Sequence, residues 1–169
     1  VTGRDVILWD PITGASITRV AKEIIRFYEI DNSKPIHLLL ASDGGLLLPA
    51  IAFYEFITHS KISLTVTVLE GADSSAIIVL CAGRWRQATS RAGFLLHPPS
   101  LSPGGVQTAE ELKLQTKIAE REERRYCSII ADTTKKSIDE INQLVVVETI
   151  CNAAKAKELG LLNEVIDFP

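Results

Sequence analysis

The sequence predicts an α/β fold, a crossover core on a mostly parallel sheet with one long helix projecting from it. Two observations carry this. Apolar strand-like runs and helical stretches alternate three times along the first half of the chain, the order that crossover units on a parallel sheet produce. The second half holds a long charged stretch from Thr108 to about Asp132, whose few apolar anchors are too sparse for a small domain to cover it entirely. At 169 residues the chain fits a single domain, 1–169, that buries ~70% of its unfolded surface without help from disulfides or metals.

Val6-Ile7-Leu8-Trp9 reads as a short strand broken by Asp10-Pro11-Ile12-Thr13-Gly14, after which Ile17, Val20, Ile24, Ile25 and Tyr28 recur at helical spacing. Asp31 to Pro35 ends that helix. Ile36 to Leu40 is a continuous apolar strand, and Gly44-Gly45 turns the chain into a second helix reaching about Ile57. Ser63 to Leu69 alternates and is rich in Val and Thr, as a strand should be. The apolar helix opened by Ser75 completes the third repeat. Trp85 to Thr89 and Gly93 to Leu96 follow as strands, then a Pro/Gly loop from Pro98 to Gly105.

The long helix opens with the capping box Thr108-x-x-Glu111, and Ser137-x-x-Glu140 starts a shorter one. Leu112, Leu114, Ile118, Tyr126, Ile129 and Ile130 are its apolar anchors, so it projects, and projecting helices commonly find partner subunits. After Val145-Val146-Val147-Glu148 the chain closes with a helix through Leu159, Gly160 as its C-cap, and a last strand around Asn163 to Ile166.

A net charge of −3 with scattered basic residues gives no footprint for nucleic acid. No run approaches the ~20 apolar residues that span a bilayer, so a soluble protein is expected. Cys81, Cys127 and Cys151 are odd in number and lack metal-ligand spacing, which favours a reducing compartment. The first residue lies close to a predicted strand, and a trimmed leader or amino-terminal arm is the matching expectation.

Ala72-Asp73-Ser74-Ser75-Ala76 places a hydroxyl at the start of the apolar run Ala76 to Ala82. A serine opening a buried helix has its side chain fixed by the surrounding backbone, with free N–H groups beside it. Alone, such a serine is more often a plain helix-start residue. Ser42-Asp43-Gly44-Gly45 upstream and Phe94-Leu95-Leu96-His97-Pro98 downstream supply a candidate oxyanion hole and a candidate base in the same order.

Together with Gly71-Ala72-Asp73-Ser74-Ser75 and Ala153 to Leu161, these segments resemble the proteolytic subunits of the Clp protease, the ClpP family. The resemblance covers nearly the whole chain in one order. It implies a ClpP/crotonase-like crossover core of ββα units, a projecting handle helix at about 108–132, and a serine peptidase acting through an acyl-enzyme. It makes Ser75 the nucleophile, with Ser74 as the neighbouring alternative, His97 the base, and the N–H groups of Gly45 and Ala76 the oxyanion hole. Glu148 falls where the family has the third, acidic member. Asp43 stands for a proline, Ile77 for a glycine, and Val145-Val146-Val147 for a charged run that helps subunits sense each other.

The family further implies stacked heptameric rings of one chain, unfolded polypeptide as substrate and an AAA+ unfoldase as partner. No metal or organic cofactor is implied. The compartment expected is the cytoplasm, or an organelle stroma or matrix if a leader was removed. Two rivals remain: a noncatalytic subunit of a mixed ring, and a crotonase-like acyl-CoA enzyme, which needs a catalytic carboxylate in the Ser75 helix, a possibility that the nearby Asp73 keeps open.

Overall fold

The computed structural model describes residues 3–100 and 108–167. Its elements are β1 (Asp5–Leu8), α1 (Gly14–Ile30), β2 (Ile36–Ser42), α2 (Leu47–Thr58), β3 (Leu64–Asp73), α3 (Ser75–Cys81), β4 (Trp85–Thr89), β5 (Gly93–Leu96), α4 (Ala109–Thr134), α5 (Ile138–Val146), β6 (Thr149–Asn152), α6 (Ala153–Leu159) and β7 (Glu164–Ile166). Seven strands form one sheet in the order β1-β2-β3-β4-β7, with β5 beside β3 and β6 beside β5. Every pairing is parallel except β5 with β6. The expected α/β crossover core is present.

Alternation explains which face is covered. In β2 Ile36, Leu38, Leu40 and Ser42 are buried while the residues between them are half-exposed, and Val6, Leu8, Leu64, Val66 and Val68 are fully buried on the neighbouring strands. The all-apolar sequence of α3 has the matching cause. Every one of its residues is buried, because α2, α4 and β3 all pack against it.

β3 is the organising strand. Thr65 to Val68 pair with β4, and Gly71 to Asp73 pair with β5, so one strand serves two partners along the same edge. The sequence reading ends this strand at Leu69; the structure carries it to Asp73. Glu70-Gly71-Ala72-Asp73 has little intrinsic β-preference, and its pairing with β5 supplies the extended conformation instead. β6 was not expected at all. It forms by antiparallel pairing to β5, a contact between segments more than fifty residues apart that no local pattern announces.

α4 divides into two halves. Leu112 and Leu114 are exposed, whereas Tyr126, Cys127, Ile129 and Ile130 are buried beside α3, so the amino-terminal half projects and the carboxyl-terminal half belongs to the core. Glu122 marks the border, nearly buried and paired with Arg121 at 2.8 Å and Arg125 at 3.3 Å. Of the Pro/Gly loop expected at 98–105, residues 101–105 lie outside the described residues. No helix among the described residues is long and apolar enough to cross a membrane.

Candidate active site

Parallel strands bring the candidate groups to one end of the sheet. Ser42 closes β2, Ser74 follows β3 and His97 follows β5, so all three lie at the carboxyl ends of parallel strands, where open α/β sheets place their sites. Ser42 fixes the first loop: its Oγ donates to the Asp10 carbonyl at 2.8 Å and accepts from the Gly44 N–H at 3.2 Å. Ile12 then takes Gly44 and Leu46 into a short parallel bridge, with N–H to carbonyl distances of 2.8 Å on either side. That bridge skips the Gly45 N–H, which has no backbone partner among the described residues.

Glycine at both positions is a steric requirement. Gly44 has φ +95°, and a Cβ there would meet the Asp73 carbonyl oxygen at 2.6 Å and Ser74 Cβ at 2.7 Å. Gly45 has φ +144°, and its Cβ would collide with the Ile12 carbonyl oxygen. The loop therefore packs directly beneath the Ser74 turn.

Ser74 makes that turn with φ +55° and ψ −125°, a conformation that a non-glycine residue holds only under constraint and that often marks functional sites. The constraints are visible. Its N–H donates to the Leu95 carbonyl at 2.9 Å, and its own carbonyl accepts from the Ile77 N–H at 3.1 Å and the Tyr126 hydroxyl at 3.3 Å. Its side chain is half-exposed and does not cap the helix. Ser75 differs. It is 2% exposed and opens α3, with its N–H among those a helix start leaves unpaired.

Ser74, Ser75, His97, Gly45 and Tyr126 line one cleft of about 120 Å³. His97 Nδ1 lies 2.8 Å from the Pro98 carbonyl oxygen; a carbonyl can only accept, so Nδ1 carries the proton and Nε2 is the basic nitrogen. Among the described residues no hydrogen bond joins Ser74 to His97, a separation common in unliganded catalytic pairs. Glu148 is not part of the cleft lining. It is exposed, with φ +52°, and directly precedes Thr149, which pairs with Leu96 in the last β5–β6 pair.

The sequence reading puts the hydroxyl on Ser75 and the second N–H on Ala76, and the structure buries the Ser75 side chain. Ser74 carries the half-exposed hydroxyl on the strained backbone, and the N–H directly after it is that of Ser75. Asp73, which sequence reasoning used only for the acyl-CoA rival, is half-buried beside this turn. Burial holds its carboxyl above the ordinary carboxylate range and Asp43 adds to the effect, while the Leu95 backbone and His97 oppose it. The rival's discriminating feature is missing, since α3 contains no carboxylate. Nor is a thiol a competing nucleophile: burial pushes Cys81, Cys127 and Cys151 each up to about 11.

The family model of Clp protease matches residues 1–168. The chain belongs to the Clp protease family. An ATP-dependent Clp protease proteolytic subunit of Bdellovibrio bacteriovorus is 28% identical over 164 residues, covering 92% of this chain and 77% of the relative. Proteolytic subunit 1 of Rhodococcus jostii is 27% identical over 168 residues, covering 98% and 76%. Proteolytic subunit 2 of Corynebacterium jeikeium is also 27% identical, covering 98% and 79%.

Proposed function

We propose that this member of the Clp protease family is an active serine peptidase with Ser74 as nucleophile and His97 as base. The observation that carries the reading is the strained turn that presents the Ser74 hydroxyl in the same cleft as His97. In the reaction, Ser74 Oγ attacks the peptide carbonyl carbon as His97 Nε2 takes its proton. Charge builds on the carbonyl oxygen, where the N–H groups of Gly45 and Ser75 are available as donors. His97 then returns the proton to the leaving amine as the C–N bond breaks, and water releases the acyl group by the reverse exchange. The experiment that tests this is labelling by a fluorophosphonate, which adds to an activated serine and leaves a noncatalytic subunit untouched.

Glu148 is proposed as the charge that favours the imidazolium, with the Pro98 carbonyl orienting the ring. A carboxylate bonded directly to the base is worth about 10⁴ in turnover. Because Nδ1 already has the Pro98 carbonyl, Glu148→Gln is expected to lower kcat by about 10- to 100-fold at unchanged fold, read from steady-state hydrolysis of a fluorogenic peptide. A loss near 10⁴ would show that Glu148 replaces Pro98 on Nδ1 in the working enzyme, and unchanged kcat would remove it from the site.

The exposed half of α4, with Leu112 and Leu114 at 49% and 59% exposure, supports ring assembly through a second copy of this chain. The relatives named above are subunits of an ATP-dependent protease, which supports unfolded polypeptide as substrate and an AAA+ unfoldase as partner. Three buried, unpaired cysteines suit a reducing compartment such as the cytoplasm. Native mass spectrometry of the intact chain should give a multi-subunit ring, and removal of the projecting half of α4 should separate stacked rings into single ones. A strictly monomeric chain at high concentration would contradict the assembly.

A further inference from the structure

The Ser74 carbonyl oxygen accepts two hydrogen bonds, from the Ile77 N–H at 3.1 Å and from the Tyr126 hydroxyl at 3.3 Å. The first comes from within the turn itself and moves with it. The second comes from α4, on a side chain that is 1% exposed and lines the same cleft as Ser74 and His97. α4 packs against α3, so the Tyr126 hydroxyl is an anchor that stands outside the turn it holds. Burial pushes its phenol well above the ordinary range, with Cys81, Cys127 and Asp73 adding to the effect, so the hydroxyl keeps its proton and acts as a donor.

What this carbonyl controls follows from the peptide group it belongs to. A peptide group is rigid and planar, and in the trans form its C=O and N–H point in opposite directions. No cis peptide bond occurs among the described residues, so the Ser74 carbonyl and the Ser75 N–H are the two ends of one rigid unit. With Ser74 as nucleophile, a reading on which this inference rests, that N–H is a donor to the developing oxyanion. Donors prefer to lie in the plane of the carbonyl they approach, so two of them on one oxygen set both the direction and the tilt of the unit. With Ile77 alone it rolls about a single contact. Rotation about ψ of Ser74 turns this same unit, and the pair φ +55° and ψ −125° is a conformation that persists only where the surroundings over-determine it.

We propose that Tyr126 is a positioning residue for the peptidase reaction: by holding the Ser74 carbonyl, its hydroxyl aims the Ser75 N–H at the oxygen on which charge develops. In this role it touches no substrate. Its effect belongs to the transition state, because only there does the substrate oxygen carry the charge that the N–H meets.

The test is Tyr126→Phe in the assembled full chain, which removes one hydroxyl and keeps the buried ring. Fluorophosphonate titration to completion counts the reactive serines, so that kcat is expressed per site and misfolded chains drop out. Losing an oxyanion donor outright costs about 10²–10³ in kcat; misaiming one should cost less, about tenfold per site, with KM within about twofold of native. A peptide aldehyde, whose tetrahedral adduct places an oxygen at the same donors, should bind about tenfold more weakly. Tyr126→Leu, which also loses the ring, should show at least the same loss per site together with a further fall in Tm. Native kcat per site and native aldehyde affinity in Tyr126→Phe overturn the proposal, as does a loss confined to the number of titrated sites. The adduct position separates this from the reading beneath it. Labelling at Ser74 with native kinetics in Tyr126→Phe sinks only the positioning role, whereas labelling of the native protein at Ser75 sinks the assignment of the nucleophile and the positioning role with it.

Discussion

Ser74→Ala should abolish fluorophosphonate labelling and lower peptide hydrolysis by at least about 10⁴, to background. Removing the nucleophile of a serine protease is about as damaging as removing its whole catalytic set, because the remaining groups act only through it. The change deletes one half-exposed oxygen that caps nothing, so the melting temperature should stay close to that of the native chain. Ser74→Gly sharpens the result. At φ +55° and ψ −125° the serine backbone is strained by about 1–3 kcal/mol, a cost that glycine relieves. That variant should therefore be equally inactive yet at least as stable, the trade expected of a residue kept for chemistry.

The second large effect is expected at Gly44, which touches no substrate. Its missing Cβ is the space in which the Asp73 carbonyl and Ser74 Cβ sit, at 2.6 Å and 2.7 Å from where an alanine methyl would be. Both are parts of a turn held by hydrogen bonds from β5, α3 and Tyr126, so neither can move without moving the nucleophile. Gly44→Ala adds the penalty of φ +95°, about 1–2 kcal/mol for a residue with a Cβ, to an overpacking cost of about 1–3 kcal/mol. Thermal unfolding should show a fall in Tm of several degrees. A displacement of even ~1 Å at a catalytic centre costs about 10² in rate, so kcat/KM should drop by that order while the protein still folds. Native kinetics in Gly44→Ala would mean that the loop does not set the position of Ser74.

Much of this was legible in the residues themselves. The three strand-helix repeats, the two capping boxes and the Gly160 C-cap are local signals, and each local signal agrees with the structure: Thr108 and Ser137 accept from the N–H groups of Glu111 and Glu140 at 3.2 Å, and Gly160 adopts φ +87°. The family resemblance was legible for the same reason, since Gly44-Gly45, the serine pair and His97 keep their order along the chain. What local pattern lacked was the end of β3. Whether Ser74 or Ser75 turns the chain depends on where the strand stops, and the strand is prolonged to Asp73 by β5, which follows twenty residues later. β6 escaped for the same reason, its extended form resting on β5. Glu148 illustrates a third limit: the family resemblance gives it the third, acidic place, but no local pattern tells which acceptor His97 Nδ1 uses, and in the structure that is the Pro98 carbonyl.

The identity of one hydroxyl decides the chemistry of the cleft. Reaction of the intact protein with a fluorophosphonate, followed by fragmentation mass spectrometry of the peptide containing both serines, reads that identity directly. The adduct should be found on Ser74, with one equivalent bound per chain and none after His97→Ala. An adduct on Ser75, or no adduct on a folded and assembled protein, would contradict the proposed site.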